Sequence, residues 1–294
     1  MRELLEFLTS IDGFGAPESV EPLRGLSNRN FAVVIDDEVF AVRLASANAE
    51  ALGISRAAEA EVLRLAESDG IGPEVIRYAL PEGHMITRWL PAQELGQTPD
   101  RYRDPDVLRS VVRTAKRIHA LPTIEHAFDP IDRIRVAFRQ AEQRDVSLPT
   151  GAARVLQRLD DIEADRGHLA PPHRALCHND LFAGNILDTD PLRVIDWEFA
   201  GTGDIFFDLA TLAVACDEFA PLGDEHRAII LDEYFGNETA EDRRRLDGMV
   251  LVARLHVVAW GLTHHLLGTP AGGWEGFTFL GFATDLLETL VSEI

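Results

Sequence analysis

LCHNDLFAGNIL, residues 176–187, sets a histidine, two asparagines, an aspartate and a glycine among apolar residues. Ordinary core does not carry that composition, and its polar side chains fall on a turn between two short apolar runs. Downstream, RVIDWE (residues 193–198) delivers Asp196 and Glu198 at the end of the strand expected to pair back. Strand residues two apart face the same side, so both carboxylates are expected in one cleft, toward the loop bearing Asp180 and Asn185. Carboxylates and a carboxamide are hard oxygen donors that suit Mg²⁺, which takes few protein ligands and completes its octahedron with water and phosphate. A nucleotide is the expected guest. Phosphoryl transfer then needs one uncoordinated carboxylate to hold an acceptor hydroxyl and take its proton, and Asp180 is placed for it.

Asp180 and Asn185 stand in the spacing D-x-x-x-x-N, in which a kinase catalytic loop gives the Asp to the acceptor and the Asn to the metal. His178 is expected to orient this loop through a hydrogen bond rather than to move a proton. Working outward, the texture changes near Pro91. Before it strands dominate: RNFAVVID (29–36) and EVFAVRLA (38–45) form a hairpin across Asp36 and Asp37, and RGLSNRN (24–30) precedes them with Gly25 and small polar residues. SRAAEAEVLRLAESDG (55–70) reads as a helix, with Ala58, Val62, Leu65 and Ala66 on one face, Ser55 as cap and Gly70 as stop. PEVIRYAL (73–80) and HMITRWL (84–90) give two more strands, and PAQELGQTP (91–99) a connector. Beyond it, helices are expected around 104–120, 131–145, 150–166, 205–219, 224–235, 241–267 and 275–292, broken by short strands near Asn185 and at LRVID (192–196). The class is α+β: a small β-rich lobe over residues 1–90, then a larger helical lobe over 91–294 that carries the polar hairpin.

Composition narrows the partners. At 294 residues with 46% apolar content, the chain is long enough for a well-filled core. Lys and Arg total 28 against 49 acids, a net charge of -21 that repels nucleic acid and anionic membrane surfaces and draws cations. Cys177 and Cys216 form neither a disulfide framework nor a thiolate zinc spacing. The first twenty residues carry early acids and no unbroken apolar run, so they do not read as a signal peptide, and the cytoplasm is the expected compartment. MVLVARLHVVAWGLTHHLL (249–267) is interrupted by Arg254, His256, His264 and His265, and is expected as a core helix rather than a membrane span.

LCHNDLFAGNIL followed by LRVIDWEFAGTGDIFFDLA (192–210) resembles the aminoglycoside phosphotransferase and choline kinase superfamily, small-molecule kinases with a protein-kinase-like bilobal fold. GLSNRNF, Arg43 in AVRL and IDWE look nearer to bacterial choline and ethanolamine kinases than to antibiotic-modifying enzymes. The resemblance implies Asp180 as the catalytic aspartate, Asn185 and Asp196 as Mg²⁺ ligands, and Glu198 serving the metal or the acceptor. It makes Ser27, Asn28 and Arg29 the loop over the ATP phosphates, acting through backbone amides and the Arg29 charge. Arg43 replaces the lysine usual at its strand position; a guanidinium fork holds phosphate oxygens bidentately, with Glu59 as its expected partner and Glu61 as the rival. Backbone groups from Thr87 through Trp89 to Leu90 would receive the adenine, and Asp208 would brace the catalytic loop.

The acceptor implied is a small-molecule alcohol, with a cationic amino alcohol such as choline or ethanolamine first and thiamine, an aminoglycoside or a sugar as alternatives. Trp260 would give such a cation an aromatic face. In WGLT (260–263) a threonine stands where choline kinases have a second aromatic, which favours a smaller or more polar amine; Trp197 and Trp274 are candidates to compensate. His264 and His265 are adjacent on a helix and point apart, so they do not form a chelate. A silent nucleotide binder and a metal-dependent hydrolase using His178 are the readings from other classes.

Overall fold

The computed structural model describes residues 1–11, 14–23, 25, 27–168, 174–215, 219–270 and 276–294; Leu26, Cys216 and Trp274 lie outside them. The small lobe is a five-stranded antiparallel sheet in the order β1-β2-β3-β5-β4, formed by β1 (Ser19–Leu23), β2 (Arg29–Ile35), β3 (Glu38–Leu44), β4 (Val75–Ala79) and β5 (His84–Arg88). The acidic turn between β2 and β3 is as expected: Asp36 and Asp37 have φ of 51° and 62°, the left-handed pair that a two-residue hairpin requires.

Register decides which side chains meet the cleft. Asn30 lies opposite Arg43 and Arg29 opposite Leu44, and opposite residues share a face. One face buries Val33, Ile35, Phe40, Val42, Leu44 and Ile86 against Leu4, Phe7 and Leu8 of α1 (Arg2–Thr9), a small core of its own. The other face presents Asn30, Ala32, Ala41, Arg43, Met85 and Thr87. Neither α1 nor β1 was expected from the sequence. β1 contains Pro22, which an edge strand tolerates.

Between β3 and β4 runs α2 (Arg56–Ser68), whose Ser55 side chain accepts from Ala58 N. Its Ala58, Val62, Leu63 and Ala66 join the large apolar cluster of the helical lobe rather than the small core under α1. That lobe holds α3 (Pro99–Tyr102), α4 (Pro105–His119), α5 (Pro130–Gln143), α6 (Ala152–His168), α7 (Ile205–Leu212), α8 (Asp224–Phe235), α9 (Ala240–Leu266) and α10 (Phe279–Glu293). Two short antiparallel pairs carry the polar segments: β6 (Arg174–Cys177) with β9 (Gly201–Asp204), and β7 (Ile186–Leu187) with β8 (Arg193–Val194). α7 ends well before the expected residue 219, because the chain turns back there: Leu222 N–H bonds to Ala213 O and Ala215 N–H to Ala220 O. α9 is long and apolar enough to cross a membrane by length and composition, yet 72% of its most apolar window is buried inside the protein. It is a core helix here.

Candidate active site

Asp208, on α7, organises the catalytic segment from below. Its carboxylate accepts from the backbone of His178 (2.8 Å) and Asn179 (2.7 Å) and lies 3.0 Å from His119 Nε2, so it braces the loop as expected. Asn179 sits at φ 63° and donates from Nδ2 to Phe199 O (3.0 Å), tying the loop to the segment after Glu198. The His178 ring is fully buried, edge-on to Trp197, and 3.0 Å from Ile195 O. Burial pulls its pKa down to about 4, so the neutral ring donates to that carbonyl and orients the loop rather than exchanging protons. Cys177, His119 and Asp208 also crowd within 4.8 Å of one another, but His119 is held between Asp208 and the Tyr234 hydroxyl, which makes the cluster a brace.

Asn185 donates from Nδ2 to both the backbone oxygen and Oδ2 of Asp180, at 2.8 Å each. That turns the carboxamide oxygen away from Asp180. Across the β7–β8 pair, Ile195 N–H bonds to Asn185 O (2.9 Å), so Asp196 emerges beside Asn185. The expectation that strand alternation aligns Asp196 with Glu198 is corrected: β8 stops at Val194, and Asp196 has a left-handed φ of 61°. The turn, not alternation, brings the two together: Asp196 and Glu198 both approach Arg43 Nη1, at 4.0 and 3.9 Å.

Charge is concentrated here. Burial first, and the Asp196 carboxylate second, push Asp180 well above the usual carboxylate range, against the hydrogen bond from Asn185. Asp196 is pushed up to about 7 by burial and by Glu198. An amide oxygen and a carboxylate on adjacent strand ends, in a pocket with negative charge in excess, are the donor set Mg²⁺ takes. The residues therefore fit the ion.

Arg43 pairs with Glu59 (2.5 Å) and donates to Gly83 O (3.0 Å). Glu59 is buried and Glu61 exposed, which settles the choice between them. Thr87 is buried opposite Ala41 on the cleft face; Trp89 N–H is taken by Val39 O (3.2 Å), so it fixes the connector to β3 instead of offering a donor to a base. Two further expectations, for Arg29 and Glu198, are corrected. Arg29 pairs with Glu3 of α1 on the sheet's outer face, because the residue aligned with Arg43 is Asn30. Asn28, expected to act through its backbone amide, uses its carboxamide to hold the segment in place, donating to Glu198 (3.0 Å) and accepting from Ser46 N–H (3.0 Å). Glu198 is buried against Asn28 and Arg56 (3.1 Å), not turned to a metal or an acceptor. Ser27 Oγ lies 3.2 Å from His264 Nε2 on α9, so this segment reaches across to the helical lobe.

Trp260 lines a cavity of about 490 Å³ together with Phe128, Phe199, Arg133, His256 and Thr263. Thr263 supplies no ring to it; Phe279 and Phe282 of α10 stand 5.3 and 6.3 Å from the Trp260 ring but are not among the residues that line the cavity. Trp197 is buried core. His264 is buried and His265 exposed, so they do not form a pair. Sequence reasoning missed Arg56, Tyr78, Phe128 and Phe199. For Arg56 a signal existed: a cation in the first turn of a helix opposes the macrodipole and calls for a partner.

The sequence profile of the phosphotransferase enzyme family matches residues 19–248. The chain belongs to this phosphotransferase family. Among curated proteins of related sequence, protein LicA of Haemophilus influenzae is 27% identical over 217 residues, covering 71% of this chain and 60% of LicA. This chain thus spans less than two thirds of that relative. A choline/ethanolamine kinase family protein from Mesorhizobium loti superposes with a TM-score of 0.78 at 23% identity, over 100% of this chain and 95% of the other. The choline kinase LicA from Streptococcus pneumoniae does so at 0.77 and 17% identity, over 100% and 99%. At those identities the likeness establishes the phosphotransferase's bilobal, protein-kinase-like fold.

Proposed function

We propose that this phosphotransferase family member is an ATP- and Mg²⁺-dependent kinase of a small-molecule alcohol, with an amino alcohol such as choline or ethanolamine as acceptor. One observation carries the reading: Asp180, Asn185 and Asp196 converge beneath the Arg43–Glu59 pair. The sheet's cleft face, small at Ala32 and Ala41, roofs the adenine, and Arg43 holds phosphate oxygens with its guanidinium oriented by Glu59. Asn185 and Asp196 would hold Mg²⁺, which would supply charge neutralisation to the triphosphate. Asp180 accepts the acceptor's hydroxyl hydrogen bond, aligns the oxygen with the γ-phosphorus and takes its proton. A divalent cation held by Asp196 would relieve the second cause of the upward shift of the Asp180 carboxyl, the Asp196 charge, and leave the first, burial, in place.

The acceptor's cationic end lies against Trp260, whose cavity also presents the rings of Phe128 and Phe199. The net charge of -21 draws a cation toward the cleft and argues against nucleic acid and anionic membrane surfaces as partners. We place the reaction in the cytoplasm, which suits the buried free thiol of Cys177. The test is phosphorylated product from ATP and a panel of choline, ethanolamine, thiamine, aminoglycosides and sugars, with Asp180→Asn as control. Thermal stabilisation by ATP without product from any alcohol would make the chain a silent binder; hydrolysis of a phosphate ester without ATP would make it a hydrolase.

A further inference from the structure

Arg56 opens α2, the end of a helix where backbone N–H groups disfavour a cation. It is nevertheless 7% exposed, in a junction whose other members are equally enclosed: Arg43 at 6%, Glu59 at 1% and Glu198 at 5%. A single nitrogen, Nη1, stands 2.7 Å from Glu59 Oε2 and 3.1 Å from Glu198 Oε2. Tyr78 donates to the same Glu59 oxygen at 2.6 Å, and Asn28 to the same Glu198 oxygen at 3.0 Å. Among the described residues Arg56 Nε and Nη2 have no hydrogen-bond partner. The fold accepts two unpaired buried donors in order to put Nη1 between those carboxylates, a local cost of the kind that marks a functional constraint. The turn between β4 and β5 is shaped around the junction: Gly83 has φ 84°, and a Cβ there would stand 2.3 Å from Arg56 Cδ.

Both ends of the α2 segment reach the same target. At its start Arg56 holds Glu198; just past its end, Ile71 O accepts from Val194 N (2.9 Å) and Gly72 O from Arg193 (3.1 Å). Between these points the apolar face of α2 lies in the large lobe's core. The helix that orients Arg43 is therefore attached at two places to the strand and turn that carry Asp196.

We propose that Arg56 is a positioning residue that locks α2, the Ser27–Asn28 segment and the Asp196–Glu198 turn into one unit before nucleotide arrives, with Glu198 as the anchor it holds. Arg43 and Asp196 then keep their spacing in the empty enzyme, and α2 does not act as a mobile switch. Only the kinetic arm of the test rests on the phosphotransfer reading.

The experiment compares wild type with Arg56→Gln, Glu198→Gln and the double variant. In the nucleotide-free protein, amide hydrogen exchange is expected to speed up at least tenfold both in the first turn of α2 and in residues 195–200, while α10 keeps its protection. The double variant should exchange no faster than either single one, because both remove the same contact. In turnover, KM for ATP should rise about tenfold in each variant, again without multiplying in the double. Glu198→Gln is isosteric and carries the test if Arg56→Gln does not fold. Wild-type exchange at α2 in Glu198→Gln, or single effects that multiply in the double variant, would overturn the proposal. Coupled exchange in a protein that phosphorylates no alcohol would uphold the lock and sink the phosphotransfer reading alone.

Discussion

Asp196 owes its place to one backbone torsion. At φ 61° a β-carbon crowds the following carbonyl, and only Gly, Asn and Asp adopt that region readily. Asp196→Asn should therefore keep the fold while Mg²⁺-dependent nucleotide affinity falls at least tenfold, as read by calorimetry with and without the ion. Asp196→Ala should add a loss of about 1–2 kcal/mol in unfolding free energy, because alanine has no polar side chain to favour the left-handed turn. Asp180→Asn preserves the Asn185 contact through its amide oxygen but removes the proton acceptor; kcat should drop by about 10² to 10⁴ with ATP affinity within a few-fold of wild type. Undiminished turnover would remove Asp180 from the chemistry. At this scale the sequence told much about the C-lobe residues, since the D-x-x-x-x-N spacing and the later IDWE are local patterns. It told less about Arg29 and Glu198. A one-residue change of strand parity puts Asn30 rather than Arg29 beside Arg43, and the partner that withdraws Glu198 lies 142 residues away.

The helices were legible from their apolar period because each buries one stripe, as α4 does with Leu108, Val111, Val112, Ala115 and Ile118. Elements whose identity rests on distant partners were not: β6 is four residues long and exists by pairing with β9, and α1 by covering a sheet that follows it. Packing between α9 and α10 is a second property that periodicity does not reveal. Gly261 lies in the interior of α9, where alanine would ordinarily be favoured by about 1 kcal/mol. A Cβ at that point meets Ala283 Cβ at 3.0 Å and Phe279 O at 3.2 Å, on the turn of α10 that flanks Trp260. Gly261→Ala should consequently destabilise the protein, and Gly261→Leu should push α10 outward and raise the acceptor's KM while leaving that of ATP unchanged. A melting temperature that rises in Gly261→Ala would show that the two helices relax without cost.

Across the whole molecule, two cores of unequal size were foreseeable from the break in texture near Pro91, whereas the assignment of α2 to the larger one depends on packing. That larger core also encloses titratable groups. His178 is fully buried and His256 is enclosed except where it meets the cavity beside Trp260; both are neutral, their pKa values held at about 4 and about 3 by the loss of solvent around the charged form, with Arg133 adding to the effect on His256. Both folded values lie below the ordinary 6.5, so the unfolded chain binds protons first as the pH falls. The stability each ring contributes is thus complete above pH 6.5 and is lost as the pH drops from there toward 4, by about 1.4 kcal/mol per pH unit per ring. Asp180 and Asp196 act in the opposite sense, because their raised carboxyls take up protons in the folded state and return stability over part of that range. A wild-type titration alone would mix the two effects, and a single substitution separates them. His256 touches neither aspartate; it sits edge-on to Phe128, Phe199 and Phe207. Urea unfolding of wild type and His256→Asn between pH 4.5 and 6.5 should give stability curves whose slopes differ by about one proton, the variant being flatter. Parallel curves would mean that His256 becomes charged within the folded protein, reached by solvent through the cavity it lines.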